Sequence, residues 1–317
     1  MNIEDLLRET LADMAHEEQP PPPGRFLRVR RSPRRGHALA AAAAVAVLAA
    51  GFAFTAGELS APAADPPGVA GPGPGEIRAQ TRREPIVLTV REGMRLSQVL
   101  ELLSEATGRP SAEFERAAKD GGALGLPAYA GGALEGFVFP AVYEFPPEAS
   151  PREILAAMVA RFGRAAEEAG LVEGAGRAGR TPLEILTVAS IVQAESAREE
   201  DMPKVARVVY NRLDHTPEMR LELDSTVLYG LNKFGTRVSN EDLRSRSRYN
   251  TYARLGLPPG PIGNPGADAI EAALKPDAGP WLFFVTTDPE KDVTKFAGSE
   301  SEFIELVEEY RRNRRAR

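Results

Sequence analysis

Between Thr181 and Ser196 the chain reads TPLEILTVASIVQAES, and the acid near its end stands where a buried helix should carry an apolar group. Thr181 suits an N-cap, Pro182 the first helical position, and Glu184 completes a capping box. The helix this predicts is apolar almost all round (Ile185, Leu186, Val188, Ala189, Ile191, Val192) and belongs in a core. Val188, Ile191, Val192 and Glu195 fall on one stripe, so Glu195 prolongs the apolar face. Desolvation there disfavours the charged carboxylate, and the negative end of the helix dipole acts in the same direction. A carboxylic acid kept protonated near neutral pH is what general acid catalysis requires. A glutamate that reaches from the helix end into solvent is the plain alternative for the same residues.

Three other segments look able to build a site around Glu195. In LELDSTVLYG (221–230), Asp224, Ser225 and Thr226 stand at the mouth of an apolar run, although Asp224 also reads as a simple N-cap. In RYNTYARLGLPPGPIGNPG (248–266), Tyr249, Asn250, Thr251 and Tyr252 precede a loop stiffened by prolines and bent by glycines, including Pro259, Gly260, Ile262 and Asn264. Amides, phenols and hydroxyls on a stiff loop suit a carbohydrate; an ordinary proline-rich connector would look the same. LEGFVFPAVYEF (134–145), with Glu135 and Tyr143, reads mostly as packing, with groove lining as the alternative.

The bulk properties narrow the field. A chain of 317 residues is long enough for a sizeable core and for more than one unit. The net charge of −6 argues against a nucleic-acid binder. With no cysteine there is neither a disulfide nor a thiolate nucleophile, and His16, His37 and His215 have no ligand spacing, so no metal and no cofactor is expected.

The elements that must position these residues follow from pattern. Residues 1–18 fit either a short amphipathic helix or a solvated tail. A basic cluster from Arg25 to Arg35 leads into 38–57, ALAAAAAVAVLAAGFAFTAG, whose 20 uncharged residues match a bilayer's hydrocarbon core. The positive-inside rule puts 1–37 in the cytoplasm and the rest outside, with an uncleaved anchor favoured over a signal peptide or a soluble alanine-rich helix. Residues 58–83 are a Pro/Gly-rich stalk. From there the pattern predicts a strand over 85–90, a turn at Glu92-Gly93, helices over 96–106 and 111–119, and strand within 133–145. A helix runs from Ser150-Pro151 to about Ala169, and Gly170 to Gly179 reads as a glycine-broken loop before the Thr181 helix. Beyond Glu195 come a helix over 203–213 and a short apolar segment over 226–231. A helix opened by Asn264-Pro265 runs to Leu274, followed by a strand over 281–286 and a terminal helix over 302–312.

Taken in order, ASIVQAES, PKVARVVYNRL, LELDSTVLYG, YNTY…GLPPGPIGNPG, a helix ending in LKP and a WLFFV strand resemble the MltG endolytic murein transglycosylases, also called YceG-like proteins, from roughly Pro85 to Phe296. The resemblance implies an α+β architecture: a single N-terminal transmembrane helix, a small LysM-like subdomain (84–147) and a mixed α+β catalytic domain (148–317). It implies a membrane-anchored enzyme that cuts the MurNAc–GlcNAc β-1,4 bond of nascent peptidoglycan strands, leaving 1,6-anhydro-MurNAc ends. Glu195 would be the catalytic residue, and Asp224, Ser225, Thr226, Tyr249, Asn250, Thr251, Tyr252, Pro259, Gly260, Ile262 and Asn264 would line the glycan cleft, with Asn211 and Arg212 in support. The implied partners are glycan strands, the cytoplasmic membrane and peptidoglycan synthases. Three departures stand out. Gln193 replaces a frequent Glu, LDST replaces SDPT so that Ser225 stands for a proline, and Thr294-Lys295-Phe296 replaces a His-x-Phe element. Gln193 sharpens the assignment to Glu195, whereas the altered Ser225 and the missing His keep open a non-catalytic, anchored peptidoglycan-binding or scaffold protein; a hydrolase using water in the same cleft is the third possibility.

Overall fold

The computed structural model describes residues 84–315. The expected tail, membrane span and stalk lie outside them, and among the described residues no helix is long and apolar enough to cross a membrane. The first strand, β1 (Ile86–Val90), pairs antiparallel with β2 (Ala141–Phe145), Ile86 opposite Phe145 and Val90 opposite Ala141. Between them lie helices α1 (Leu96–Thr107) and α2 (Ser111–Ala118). In both strands the third and fifth residues face inward, which is the alternation expected of a strand with one buried face.

The next helix, α3 (Pro151–Glu168), opens with the Ser150/Glu153 capping box, Ser150 Oγ accepting from the Glu153 N–H. The segment read as a glycine-broken loop is instead a helix, α4 (Leu171–Arg177). Gly170, at φ +64°, ends α3 in the left-handed conformation and lets the chain restart. Gly174 sits mid-helix because Leu274 packs on it; a Cβ there would come within 2.6 Å of Leu274 Cδ2. The glycines that look like helix breakers in the sequence are thus one cap and one close contact.

Helix α5 (Pro182–Glu195) has the expected Thr181/Glu184 capping box and buries every residue from Ile185 to Val192. It lies at the centre of the main core, which runs without interruption from Leu88 and Val90 on β1 to Ala273 on α8 (Ala267–Leu274). Helix α6 (Met202–Leu213) packs beside α5 and α8, and α7 (Asp224–Gly230) is a short helix whose Val227 and Leu228 anchor a small satellite core. The expected helix start at Asn264-Pro265 is corrected: α8 begins at Ala267 with Gly266 as N-cap. Asn264 is unable to cap α8 because its side chain is already engaged elsewhere. Its Nδ2 donates to the Met94 carbonyl (2.8 Å) and its Oδ1 accepts from the Val138 N–H (2.9 Å).

The C-terminal part is a β3–β4 hairpin (Phe283–Asp288 and Val293–Ala297) covered by α9 (Glu300–Arg315). Phe283, Val285, Phe303, Val307 and Tyr310 form its own apolar cluster, separate from the main core. Asn211 Nδ2 and Arg212 Nε, at the end of α6, donate to the carbonyls of Gly279, Trp281 and Leu282 and hold the hairpin against α6.

Candidate active site

Glu195 is the last residue of α5, and Ser196 behind it turns extended (φ −95°, ψ 122°), so the helix delivers the carboxyl to its own C-terminus and stops. The carboxyl opens into a cavity of about 390 Å³ whose polar rim is Glu195, Arg212, Glu222, Asp224, Tyr252 and Thr286. The wall facing that rim comes from Phe283, Val285, Phe303 and Tyr310 of the hairpin and α9. Glu195 keeps a little surface toward the cavity and is otherwise packed in protein. Desolvation therefore pushes its pKa up to about 7, and the neighbouring Asp224 carboxylate pushes the same way. The Ser225 hydroxyl and backbone N–H face the carboxyl and partly offset the rise. Ser225 Oγ is buried, and the polar group it faces is that carboxyl. At this position a proline would supply neither donor.

Asp224 begins α7 at the cavity mouth. Tyr252 Oη donates to its Oδ1 at 2.7 Å. Desolvation raises the Asp224 pKa while that hydrogen bond lowers it, and much of the carboxylate surface remains open. Tyr252 is itself held well above the usual phenol range, first by desolvation and then by Asp224, so it stays a donor. Arg212, in the same rim, donates to the carbonyls of Leu282 (2.6 Å) and Leu221 (2.9 Å) and stands 3.7 Å from Glu222. Glu222 adopts a left-handed backbone (φ +51°), uncommon for a non-glycine residue, in the segment that carries Asp224 to the cavity.

Of the residues singled out in the sequence, the structure brings Glu195, Asp224 and Tyr252 to this cavity, with Ser225 beside the acid. Thr226, Asn250, Thr251 and Asn264 are buried and do not line it. Thr226 Oγ1 donates to the Leu223 carbonyl (2.7 Å), and Thr251 Oγ1 accepts the Leu223 N–H (3.0 Å). Asn250 Nδ2 donates to the carbonyls of Leu243 and Ser245. These groups hold the backbone that presents Asp224 and Tyr252 rather than meeting a ligand in the cavity. From Pro258 to Gly266 the proline-rich loop is buried except at Pro259, which is exposed and lies outside this cavity. Pro261 lies where a Cβ on Gly136 would be, at 2.6 Å, and the Ile262 N–H donates to Ser190 Oγ at 3.0 Å. Tyr249 stands with Tyr229, ring centroids 4.7 Å apart, on a different cavity, and Gly260 lies near its hydroxyl. Gln193, two residues before Glu195, accepts the Gly266 N–H at 2.9 Å and is a structural link to α8. Lys295 is paired with Glu309 at 2.7 Å, away from the cavity.

The hairpin wall has no signature in the sequence. Phe283 and Phe303 are 20 residues apart, read as ordinary core, and stack at 5.0 Å only after the hairpin and α9 fold together. The WLFFV strand was visible, but nothing in its pattern says that its inner face meets a cavity.

Fold and site together define a mixed α+β protein with a cleft built around one enclosed, near-neutral carboxyl at a helix end. A model of the YceG-like family matches residues 74–313, and the chain belongs to that family. It is 39% identical over 154 residues to a Bacillus subtilis (strain 168) protein named endolytic murein transglycosylase, a match covering 48% of this chain and 41% of that protein. It is 32% identical over 157 residues to a Streptococcus pneumoniae (strain D39) protein of the same name, covering 48% and 28% respectively. The chain thus spans less than half the length of these relatives. A crystal structure of a YceG-like protein from Listeria monocytogenes shares the fold with a TM-score of 0.63 and 27% identity, over 71% of this chain and 76% of that one.

Proposed function

We propose that this protein is an endolytic lytic transglycosylase of peptidoglycan, with Glu195 as general acid and then general base. The observation that carries this reading is the Glu195 carboxyl, enclosed at the end of α5, open to a cavity, and pushed up to about 7. Glu195 protonates the bridging oxygen of a MurNAc–GlcNAc β-1,4 bond as that bond breaks and positive charge builds at C1. The resulting carboxylate then takes the proton of the same sugar's 6-hydroxyl while that oxygen closes on C1. One C–O bond breaks, one forms, no water enters, and the product end is 1,6-anhydro-MurNAc. The usual second carboxylate of a glycosidase is not needed, because the nucleophile is part of the substrate and is positioned by it. Asp224, held by Tyr252, lies where its negative charge favours the oxocarbenium-like state and keeps Glu195 protonated.

The names of the relatives support peptidoglycan as the substrate. The uncharged run 38–57 with its basic flank supports a single-pass anchor in the cytoplasmic membrane, the catalytic part being extracytoplasmic. The paired strands around α1 and α2 support reading 84–147 as a LysM-like unit, with 148–317 as the catalytic part. Such an enzyme would act beside peptidoglycan synthases on nascent strands. The test is the mass of fragments released from peptidoglycan by the wild type and by Glu195→Gln. Anhydro-ended fragments from the wild type alone are the expected result. Fragments one water heavier would make it a hydrolase, and equal activity in both proteins would remove Glu195 from the chemistry.

A further inference from the structure

A second cavity, of about 660 Å³, opens at the far end of α7 from Asp224. Arg95, Glu101, Glu115, Glu135, Tyr229 and Tyr249 are among the residues that line it. Arg95, the residue before α1, has its guanidinium 5.3 Å from the Tyr229 ring centre and 4.6 Å from that of Phe234, a ring more than half exposed. Its Nη1 is buried and has no hydrogen-bond partner. The nearby acid, Glu135, is occupied otherwise: its Oε1 accepts the Leu96 N–H at 2.8 Å and its Oε2 accepts the Tyr229 hydroxyl at 3.0 Å. Burial pushes Glu135 up to about 7, against the Leu96 and Tyr229 hydrogen bonds and the attraction of Arg95, which lower it, so its two oxygens are hydrogen-bonded to groups other than the guanidinium.

A guanidinium set against aromatic faces with a buried donor, Nη1, unused is costly unless something supplies an acceptor, and its planar fork matches a carboxylate. Glu101 and Glu115 on α1 and α2 bring exposed carboxylates to the same cavity, which suits an amine on the same ligand. The seven residues of α7 span roughly 10 Å, so one strand can reach both cavities. Glycan backbone hydroxyls and acetamides carry no charge; the peptide branches of peptidoglycan carry carboxylates and amines together. Given the strand cleavage proposed above, we propose that the second cavity binds the peptide branch of the strand, Arg95 receiving a branch carboxylate, and directs the cut to peptide-bearing strands.

A lactyl carboxylate, exposed on strands stripped of peptide by an amidase, is the other source of the same chemistry. The two are separated by measuring kcat/KM of the full chain on peptide-bearing and on stripped strands, for wild type and Arg95→Gln. The expected result is a wild-type preference of about tenfold or more for peptide-bearing strands, falling toward one in the variant. No wild-type preference, a preference for stripped strands, or an Arg95→Gln ratio equal to that of wild type overturns the assignment. A second measurement needs no variant. A free stem tetrapeptide titrated onto the full wild-type chain should bind at least about tenfold more tightly than the same peptide with its carboxylates amidated. Equal binding of the two, or none, overturns it as well. Absence of cleavage on any strand would instead strike the transglycosylase reading, and the peptide titration would still decide the second cavity.

Discussion

Removing the acid at Glu195 should make the protein more stable, and only above a defined pH. The unfolded carboxyl ionises near 4.5 and the folded one near 7. At about pH 4 both forms are protonated and the group contributes nothing to the pH dependence. As pH rises from 4.5 to 7 the unfolded state releases a proton that the folded state keeps, so stability falls across this window and levels off above it. Raising the carboxyl from 4.5 to about 7 corresponds to about 3 kcal/mol, a ceiling. Allowing for the side open to the cavity, about 2 kcal/mol is the working figure. Glu195→Gln keeps the shape and removes the titration. It should therefore melt together with wild type at about pH 4 and roughly 4–8 °C higher at about pH 8.5. Thermal and urea unfolding of both proteins at several pH values would measure this. A difference between the proteins that is the same at every pH, or one that shrinks between pH 5 and 7, would refute an enclosed, protonated acid.

The same carboxyl should set the alkaline limb of activity at about 7, and Asp224→Asn, by removing a neighbouring negative charge, should move that limb to lower pH in a kcat/KM profile. A limb unmoved by the substitution would separate Asp224 from the acid. Asn264→Ala strips the Val138 N–H and the Met94 carbonyl of their buried partner and should cost about 2–4 kcal/mol in urea unfolding; a near-neutral result would return Asn264 to the list of ligand-facing residues. Thr181→Ala should lose about 1 kcal/mol while Thr181→Ser loses little, since the capping oxygen survives only in the latter.

Much of the scaffold was legible because it depends on neighbours in the chain. The Thr181 capping box, the helix opened by Ser150-Pro151, the buried α5 and a strand ending at Val90 follow from local spacing, and each forms as the spacing requires. Glu195 at the end of an apolar stripe was legible for the same reason: helical geometry alone places it beside Val192 and Ile191. Sequence and structure part where a residue with a local signal has a distant partner. Gly170 to Gly179 reads as a loop because the contact that seats Gly174 in a helix, with Leu274, joins residues 100 apart in the chain. Asn264 looked like a helix cap, and its amide is instead taken by Met94 and Val138. Tyr249, Asn250, Thr251 and Tyr252 stand side by side in sequence. Their side chains diverge to one cavity, two internal hydrogen-bond sets and another cavity, because the turn they occupy sends successive side chains in different directions.

By itself the sequence determined most of the helices and strands, which acid lies at the end of a buried helix, and which ordered set of motifs the chain carries. These are properties of spacing along one chain. Only the tertiary structure decided what faces that acid. The Phe283 and Phe303 wall, the Tyr252–Asp224 hydrogen bond and the unused Nη1 donor of Arg95 each depend on segments brought together across the fold. Desolvation, which keeps Glu195 protonated, is a property of everything packed around a group, and no stretch of sequence contains it.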